Sequence, residues 1–317
     1  MTEPAGVLWV LGAGGLLGRH VVVAAEYAGY TVLTSEVPWD DRDETVSVLT
    51  AGVDALREAA GGGAWSVAWC AGAGVVATPQ EHFETEVEVF RAFLDRLAGL
   101  GPGGSFFLAS SAGGVYAGSP DRPPYTEDST TAALAPYGKA KLAMESIAAE
   151  FAGRSGTKVL IGRLSNLYGP GQNLSKPQGL VSMLCQALVS GQPAGVYVSM
   201  DTLRDYLFVH DAARMVVAGL ERVAAQEQPV VTKIFASGRG TSIAALVGVA
   251  TKVFRRRPPI VFRASAVSSA QVRDLRLSSV VWPDLDALAR TTLPVGLATT
   301  GQSIVRADAR PRITSHS

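Results

Sequence analysis

Short apolar runs alternate with longer stretches of helical period through the first half of the chain. VLWVLG, YTVLTSE, WSVAWCAGAG and GSFFLASS are rich in β-branched and aromatic residues and bounded by glycine or polar turns, so they read as strands. GRHVVVAAEYAG and HFETEVEVFRAFLDRLAGL carry the three-to-four spacing of a helix with one buried face. Strands apolar on both faces, alternating with helices, predict an α/β protein with a doubly wound parallel sheet covered on both sides. After Tyr168 the texture changes. GPGQN is a turn signal, GLVSMLCQALVSG reads as a helix, and GVYVSMDTLRDYLFVHDAARMVVAGLERV returns to strand and helix, with further alternation around GRGTSIAALVGVATKVF and RRRPPIVFRA. This predicts two interleaved bodies. The first takes residues 1–167 with 204–236 returning to it, and the smaller second takes 168–203 and 237–304. Residues 305–317 lack an apolar period and are expected to be a disordered tail.

A chain of 317 residues that is 47% apolar buries a sizeable core. Lys plus Arg equal Asp plus Glu at 28 each, so net charge suggests neither a nucleic-acid footprint nor a membrane-surface patch. Cys70 and Cys185 lie far apart, and His20, His82, His210 and His316 show no ligand spacing, so neither a disulfide framework nor a metal is expected. No apolar run approaches the roughly 18 residues of a spanning helix, and MTEPAG lacks the basic-then-apolar order of a leader. A cytoplasmic location is expected.

The first candidate chemistry lies in VLGAGGLLGRHVV. Gly12, Gly15 and Gly18, with Leu16 between them, follow the first strand and open a helix. Glycines so placed allow a tight turn, close approach of backbone to a pyrophosphate, and close packing of helix on strand, while free amides at the helix start attract phosphate. Glu36, at the end of the second strand, stands where a carboxylate accepts from both hydroxyls of an adenosine ribose. An acid there repels a 2′-phosphate, which predicts NAD over NADP, a preference that Arg19 and Arg42 would weaken.

In PYGKAKLAMESIAAEF, Tyr137 and Lys141 are four apart at the start of a helix and share one face. A tyrosine is a poor base at neutral pH, but an adjacent ammonium and a cationic nicotinamide ring both favour its phenolate. Tyr137 then accepts a proton from a sugar hydroxyl while the carbon beneath is oxidised, and Lys141 also bonds the nicotinamide ribose.

Taken together, GAGGLLG, Glu36, WCAGAG, SSAGGVYAG, PYTEDS, PYGKAK, RLSNLYGPGQN and RDYLFVHDAA resemble the extended short-chain dehydrogenase/reductase family, the nucleotide-sugar epimerases and dehydratases. The resemblance runs from residue 7 to residue 294, with the motifs in the family's order. It implies a Rossmann domain carrying NAD and a smaller C-terminal domain binding a nucleoside-diphosphate sugar. By motif position, Ala71 and Gly72 flank the cofactor, Asn166 faces the substrate and Arg204 reaches the diphosphate. On the residues alone, Arg204 is either such an anion's bidentate partner or half of a pair with Asp205 or Asp211, and Asn166 is either a ligand or a turn former. His210 has no role that the sequence supports.

The family's hydrogen-bonding serine or threonine usually stands four residues before the tyrosine of VYG, which here is Ala112. Ser111, one residue earlier, is the expected replacement, with Ser110 second; both are also suited to capping a strand end. Dehydratases of the family carry an acid–base pair at the next two positions, the decarboxylating members a glutamate and the 3,5-epimerases a cysteine at the second. Here they are Gly113 and Gly114. What remains is chemistry for Ser, Tyr, Lys and NAD alone: oxidation of a secondary alcohol and return of hydride to the ketone. Return to the opposite face inverts the carbon, so the expected function is C4 epimerisation of a UDP- or dTDP-hexose. The alternatives are an NAD(P)H-dependent 4-keto nucleotide-sugar reductase and, from another class, a non-catalytic dinucleotide-binding regulator. Nucleotide-contacting positions toward the C-terminus align with Ser268 and Gln271, with Arg273 and Arg276 nearby, and leave the base open. The apolar faces of VFRAFLDRLAGL and YGKAKLAMESIAAEF fit a homodimer contact as well as the core.

Overall fold

The computed structural model describes residues 6–72, 80–174, 179–263 and 272–309. Its first half alternates as the periodicity predicts: β1 (Val7–Leu11), α1 (Leu16–Tyr27), β2 (Thr31–Thr34), α2 (Arg42–Ala60), β3 (Trp65–Trp69), α3 (Gln80–Leu97), β4 (Gly104–Ser111), the single turn α4 (Ala112–Val115), α5 (Pro136–Ser155) and β5 (Lys158–Leu164). The helix α2 lies in a stretch that carried no prediction. Asp41 starts it by accepting from the amides of Asp43 and Glu44, and Gly61 ends it in the left-handed region.

The second half adds β6 (Asn166–Tyr168), α6 (Leu180–Ser190), β7 (Ala194–Val196), β8 (Leu203–Phe208), α7 (Val209–Ala224), β9 (Val230–Phe235), β10 (Gly240–Ser242), α8 (Ile243–Phe254), β11 (Ile260–Phe262), β12 (Asp274–Leu275), α9 (Pro283–Asp286) and α10 (Leu293–Asp308). The main sheet runs β2-β1-β3-β4-β5-β9, parallel throughout. This is the doubly wound Rossmann arrangement. Its order reverses at β1, so the crevice outside the carboxyl end of β1 is where such sheets take ligands.

Alternation along each strand feeds two cores. Trp9, Trp69, Phe90, Phe93, Phe106 and Phe151 fill the face under α2, α3 and α5, while Leu8, Val10, Val21, Phe107, Leu160 and Val216 fill the face under α1 and α7. A third core, including Tyr168, Leu184, Val196, Phe208, Leu246 and Leu297, holds the smaller body together. Two boundaries differ from the sequence expectation. The chain returns to the main sheet through α7 and β9 rather than from residue 204, because β8 pairs with β6, β10 and β12 in a sheet of its own. The terminal helix carries the chain to Asp308, beyond the expected tail start at 305, because Leu297 and Thr300 are buried on one of its faces. Among the described residues no helix is long and apolar enough to cross a membrane.

Candidate active site

The turn after β1 is built for close approach. Gly12 takes φ +81°, and a Cβ on it would stand 2.7 Å from the amide nitrogen of Ala71 at the end of β3. A Cβ on Gly18 would collide with the Gly12 carbonyl. Gly15 donates to that carbonyl at 2.9 Å and caps α1 without any side-chain bond. The amides that open α1 therefore face outward at the sheet's switch point. Glu36 is exposed two residues past β2, on a loop that the Trp9 indole anchors by donating to Ser35 at 3.1 Å.

A cavity of about 520 Å³ opens over the carboxyl edge of the sheet. Leu16 and Gly72 line it from the first turn and from β3, Ser111 and Tyr137 from β4 and α5, and Asn166 and Arg204 from β6 and β8. A second cavity of about 530 Å³ adjoins it through Gly72 and runs between α2, β3 and α3, with Trp39, Trp69, Ala71, His82 and Glu86 in its wall. Glu36 lines neither.

Pro136 starts α5, placing Tyr137 in its first turn and Lys141 one turn on, with Nζ 5.8 Å from the phenol ring centre. The ammonium is buried and ion-paired to Glu86 at 3.2 Å, a partner that sequence reasoning missed. Ser111 Oγ accepts from the Gly114 amide at 3.2 Å, which leaves its proton free for the cavity. Ala112 is fully buried in an apolar cluster with Val115, Ile234 and Leu275, and does not line the cavity. Gly114 lies so close to Tyr137 that a Cβ there would touch the ring at 3.2 Å.

Ser110 also lines the cavity, but its hydroxyl donates to Glu145 at 2.5 Å. Glu145 receives Arg163 as well, at 2.7 Å, and Arg163 donates at 2.7 Å to the Tyr116 hydroxyl. This buried chain ties Ser110 to the protein's own network rather than to a ligand.

Arg204 is half-buried, and burial pulls its pKa below the ordinary arginine value. Among the described residues its guanidinium donates to the neighbouring Leu203 carbonyl at 2.8 Å. Asp205 turns to the opposite side of β8 and accepts from Ser237 and Arg239 amides at 2.8 and 2.9 Å, while Asp211 accepts from the Thr291 amide at 2.6 Å. Neither pairs with Arg204. Asn166 donates to the Asp205 carbonyl at 2.9 Å, and its side-chain oxygen has no bond among the described contacts. Arg273 and Arg276 are each held by an acid, Asp201 and Asp274 respectively, and Ser268 and Gln271 fall outside the described residues.

The sequence model of the NAD dependent epimerase/dehydratase family matches residues 8–234, most of the chain. The chain belongs to that family. Curated members that align with it include a dTDP-4-dehydro-6-deoxyglucose reductase of Escherichia coli, 29% identical over 136 residues, 43% of this chain and 40% of that one. UDP-glucose 4-epimerase 1 of Oryza sativa is 27% identical over 180 residues, 51% of each chain. The alignments thus span about half or less of these relatives' length. Among solved structures, MoeE5 in complex with UDP-glucose and NAD superposes with a TM-score of 0.80 at 24% identity, covering 96% of this chain and 100% of that one. UDP-glucose 4-epimerase of Thermotoga maritima with UDP-glucose superposes at 0.81 and 21%, covering 95% and 99%. At these identities the likeness establishes the fold. NAD is the family's cofactor, and the turn fits it: a side chain at Gly12 would strike Ala71 and one at Gly18 the Gly12 carbonyl, so the glycines keep the turn tight enough for the amides opening α1 to receive a pyrophosphate.

Proposed function

We propose that this member of the family is a cytoplasmic nucleotide-sugar 4-epimerase acting on a UDP- or dTDP-hexose. The observation that carries the reading is the content of the first cavity: Tyr137 and Ser111 share it with an arginine that has no acid partner among the described residues, while Gly113 and Gly114 leave no additional acid or base beside the phenol. In this reading Tyr137 takes the proton of the C4 hydroxyl and later returns it, Ser111 donates to the same oxygen, and Arg204 holds the diphosphate as a bidentate partner. Lys141 favours the phenolate by its charge. NAD, when bound over the glycine turn, supplies the oxidising and reducing power, and the sugar's net oxidation state is unchanged. The reading is also supported by the relatives named as 4-epimerases of UDP-glucose and of dTDP-L-rhamnose. A second reading, reduction of a 4-keto sugar nucleotide, is favoured by the E. coli reductase among the relatives. We also infer a homodimer through an open groove between α3 and α5, with Phe83, Val87 and Ala143 in its walls.

A proton NMR time course with UDP- and dTDP-hexoses and no added nicotinamide tests the function. A new anomeric signal from the C4 epimer is expected. Silence across the panel, with turnover of 4-keto substrates on adding NADH, would replace epimerisation by reduction; silence in both would leave a non-catalytic dinucleotide-binding protein.

A further inference from the structure

The proposed reaction asks nothing of Glu86, yet this carboxylate touches the lysine on which the base depends. Its Oε1 stands 3.2 Å from Lys141 Nζ, and the two side chains are only 16% and 5% exposed. The other contact of that ammonium is Met144 Sδ at 3.7 Å. Gly72 covers the pair: a Cβ there would lie 3.4 Å from Nζ and 3.6 Å from Oε1. The pair therefore sits at the seam of the two cavities, within reach of the phenol it influences.

An ammonium that serves as a free positive charge stabilises a phenolate strongly, whereas an ammonium closed against a carboxylate presents a dipole whose field falls off faster. Among the described residues, Lys141 stands with Nζ 5.8 Å from the Tyr137 ring centre. Lys139 on the same helix, His82, Glu84 and Glu86 on α3, Asp40 and Arg42 beside α2, and Tyr168, Tyr197, Arg204 and Tyr206 across the first cavity are the charged and titratable groups that line the surrounding cavities. Glu84 and Lys139 are exposed to solvent, and Glu145, further along α5, is spent on Arg163. Glu86 is thus the half-buried carboxylate that faces the lysine.

We propose that Glu86 is a positioning residue that holds Lys141 as a neutral pair beside Tyr137, so that the positive ring of the oxidised cofactor, not the lysine alone, arms the tyrosine. This rests on the reading of Tyr137 as the proton acceptor. Its expected consequence is that removing the Glu86 charge eases loss of the Tyr137 proton.

The test is a pH titration of phenolate absorbance, with the Tyr137→Phe spectrum subtracted to isolate the one tyrosine. Glu86→Gln keeps an acceptor for Lys141 and removes the charge. Its free form is expected to reach the phenolate midpoint at a pH about one unit lower than the unsubstituted protein, a roughly tenfold change in proton affinity, and adding NAD is expected to move it less far. Glu86→Ala is the second variant, expected to shift in the same direction. Equal midpoints for the variants and the unsubstituted protein, with the Tyr137 signal resolved, would overturn the neutral-pair role and leave the base assignment standing. Absence of any Tyr137 phenolate signal in the NAD-bound protein would overturn the base assignment itself, and the role of Glu86 with it.

Discussion

At the scale of single residues, position 112 bears on why Ser111, one residue before the aligned position, is the expected hydrogen-bonding group. Ala112 replaces the family's usual serine, yet its side chain is packed against Val115, Ile234 and Leu275, while Ser111 faces the cavity. A hydroxyl at 112 would enter an apolar cluster. Ala112→Ser is therefore expected to cost about 1–3 kcal/mol of stability, read as a lower urea midpoint, without raising turnover. Ser111→Ala is expected to lower kcat by a factor on the order of 10²–10³ with the urea midpoint little changed, since one oriented donor to the reacting oxygen is lost. A variant pair with these outcomes exchanged would return the catalytic role to position 112. Arg204 makes a different kind of prediction. Because its guanidinium has neither Asp205 nor Asp211 as a partner, Arg204→Ala should raise KM for the nucleotide sugar roughly tenfold or more, as expected when a charge-assisted bond of about 1.5–3 kcal/mol is removed, and should leave the fold intact.

At the scale of elements, the legible parts were those where local chemistry and periodicity agree. The glycine turn and α1 were readable because Gly12, Gly15 and Gly18 answer one steric requirement each. β1, β3 and β4 were readable because they are short buried runs rich in apolar residues, whereas β5 and β9, which carry Lys158, Arg163 and Lys233 among their apolar residues, were not singled out. What stayed hidden depends on contacts between elements distant in sequence. Glu86 meets Lys141 across 55 residues, and Arg163 meets Tyr116 across 47, and neither spacing carries a local signal. Ser110, expected at the substrate, lines the cavity and also donates to Glu145 across 35 residues, a contact that carries no local signal either. That buried chain ties β4, α5 and β5 together beneath the carboxyl end of β4. Breaking it by Arg163→Met leaves Glu145 buried without its cation and is expected to cost about 3–5 kcal/mol, whereas the double variant Arg163→Met, Glu145→Leu should recover much of the loss. Chemical denaturation of the three proteins checks this, and an equal or larger loss in the double variant would show that packing, not the stranded charge, sets the cost.

At the scale of the whole molecule, α1 and α7 pack side by side on one face of the main sheet at a seam that acid should loosen. His20 on α1 lies 4.3 Å, ring centre to ring centre, from His210 at the start of α7, and its Nε2 is 3.0 Å from the Pro170 carbonyl in the turn that leads into the smaller body. Burial, reinforced by the neighbouring His210 and by Arg19, pulls His20 below its ordinary value of 6.5, although the Pro170 carbonyl opposes the shift. Burial also lowers His210, against the pull of Asp211. Both rings are thus more readily protonated in the unfolded chain than in the folded one. Where the unfolded state binds more protons, stability rises with pH, so the stability these histidines contribute is complete above about 6.5 and is lost as pH falls through and below that value. The acids act elsewhere. Asp54, Asp274 and Asp284, held low first by their arginine partners, lose their contribution only below their ordinary value of 3.8, and buried Asp205, raised by desolvation, changes in the opposite direction. Between pH 7.5 and 5.5 the decline should therefore belong to the seam. The urea midpoint is expected to fall across that interval in the unsubstituted protein and to flatten in the double variant His20→Asn, His210→Asn, with His82, which is exposed, as the internal control. A double variant that keeps the full pH slope would assign the loss to another group, and the seam between α1 and α7 would then owe nothing to the paired rings.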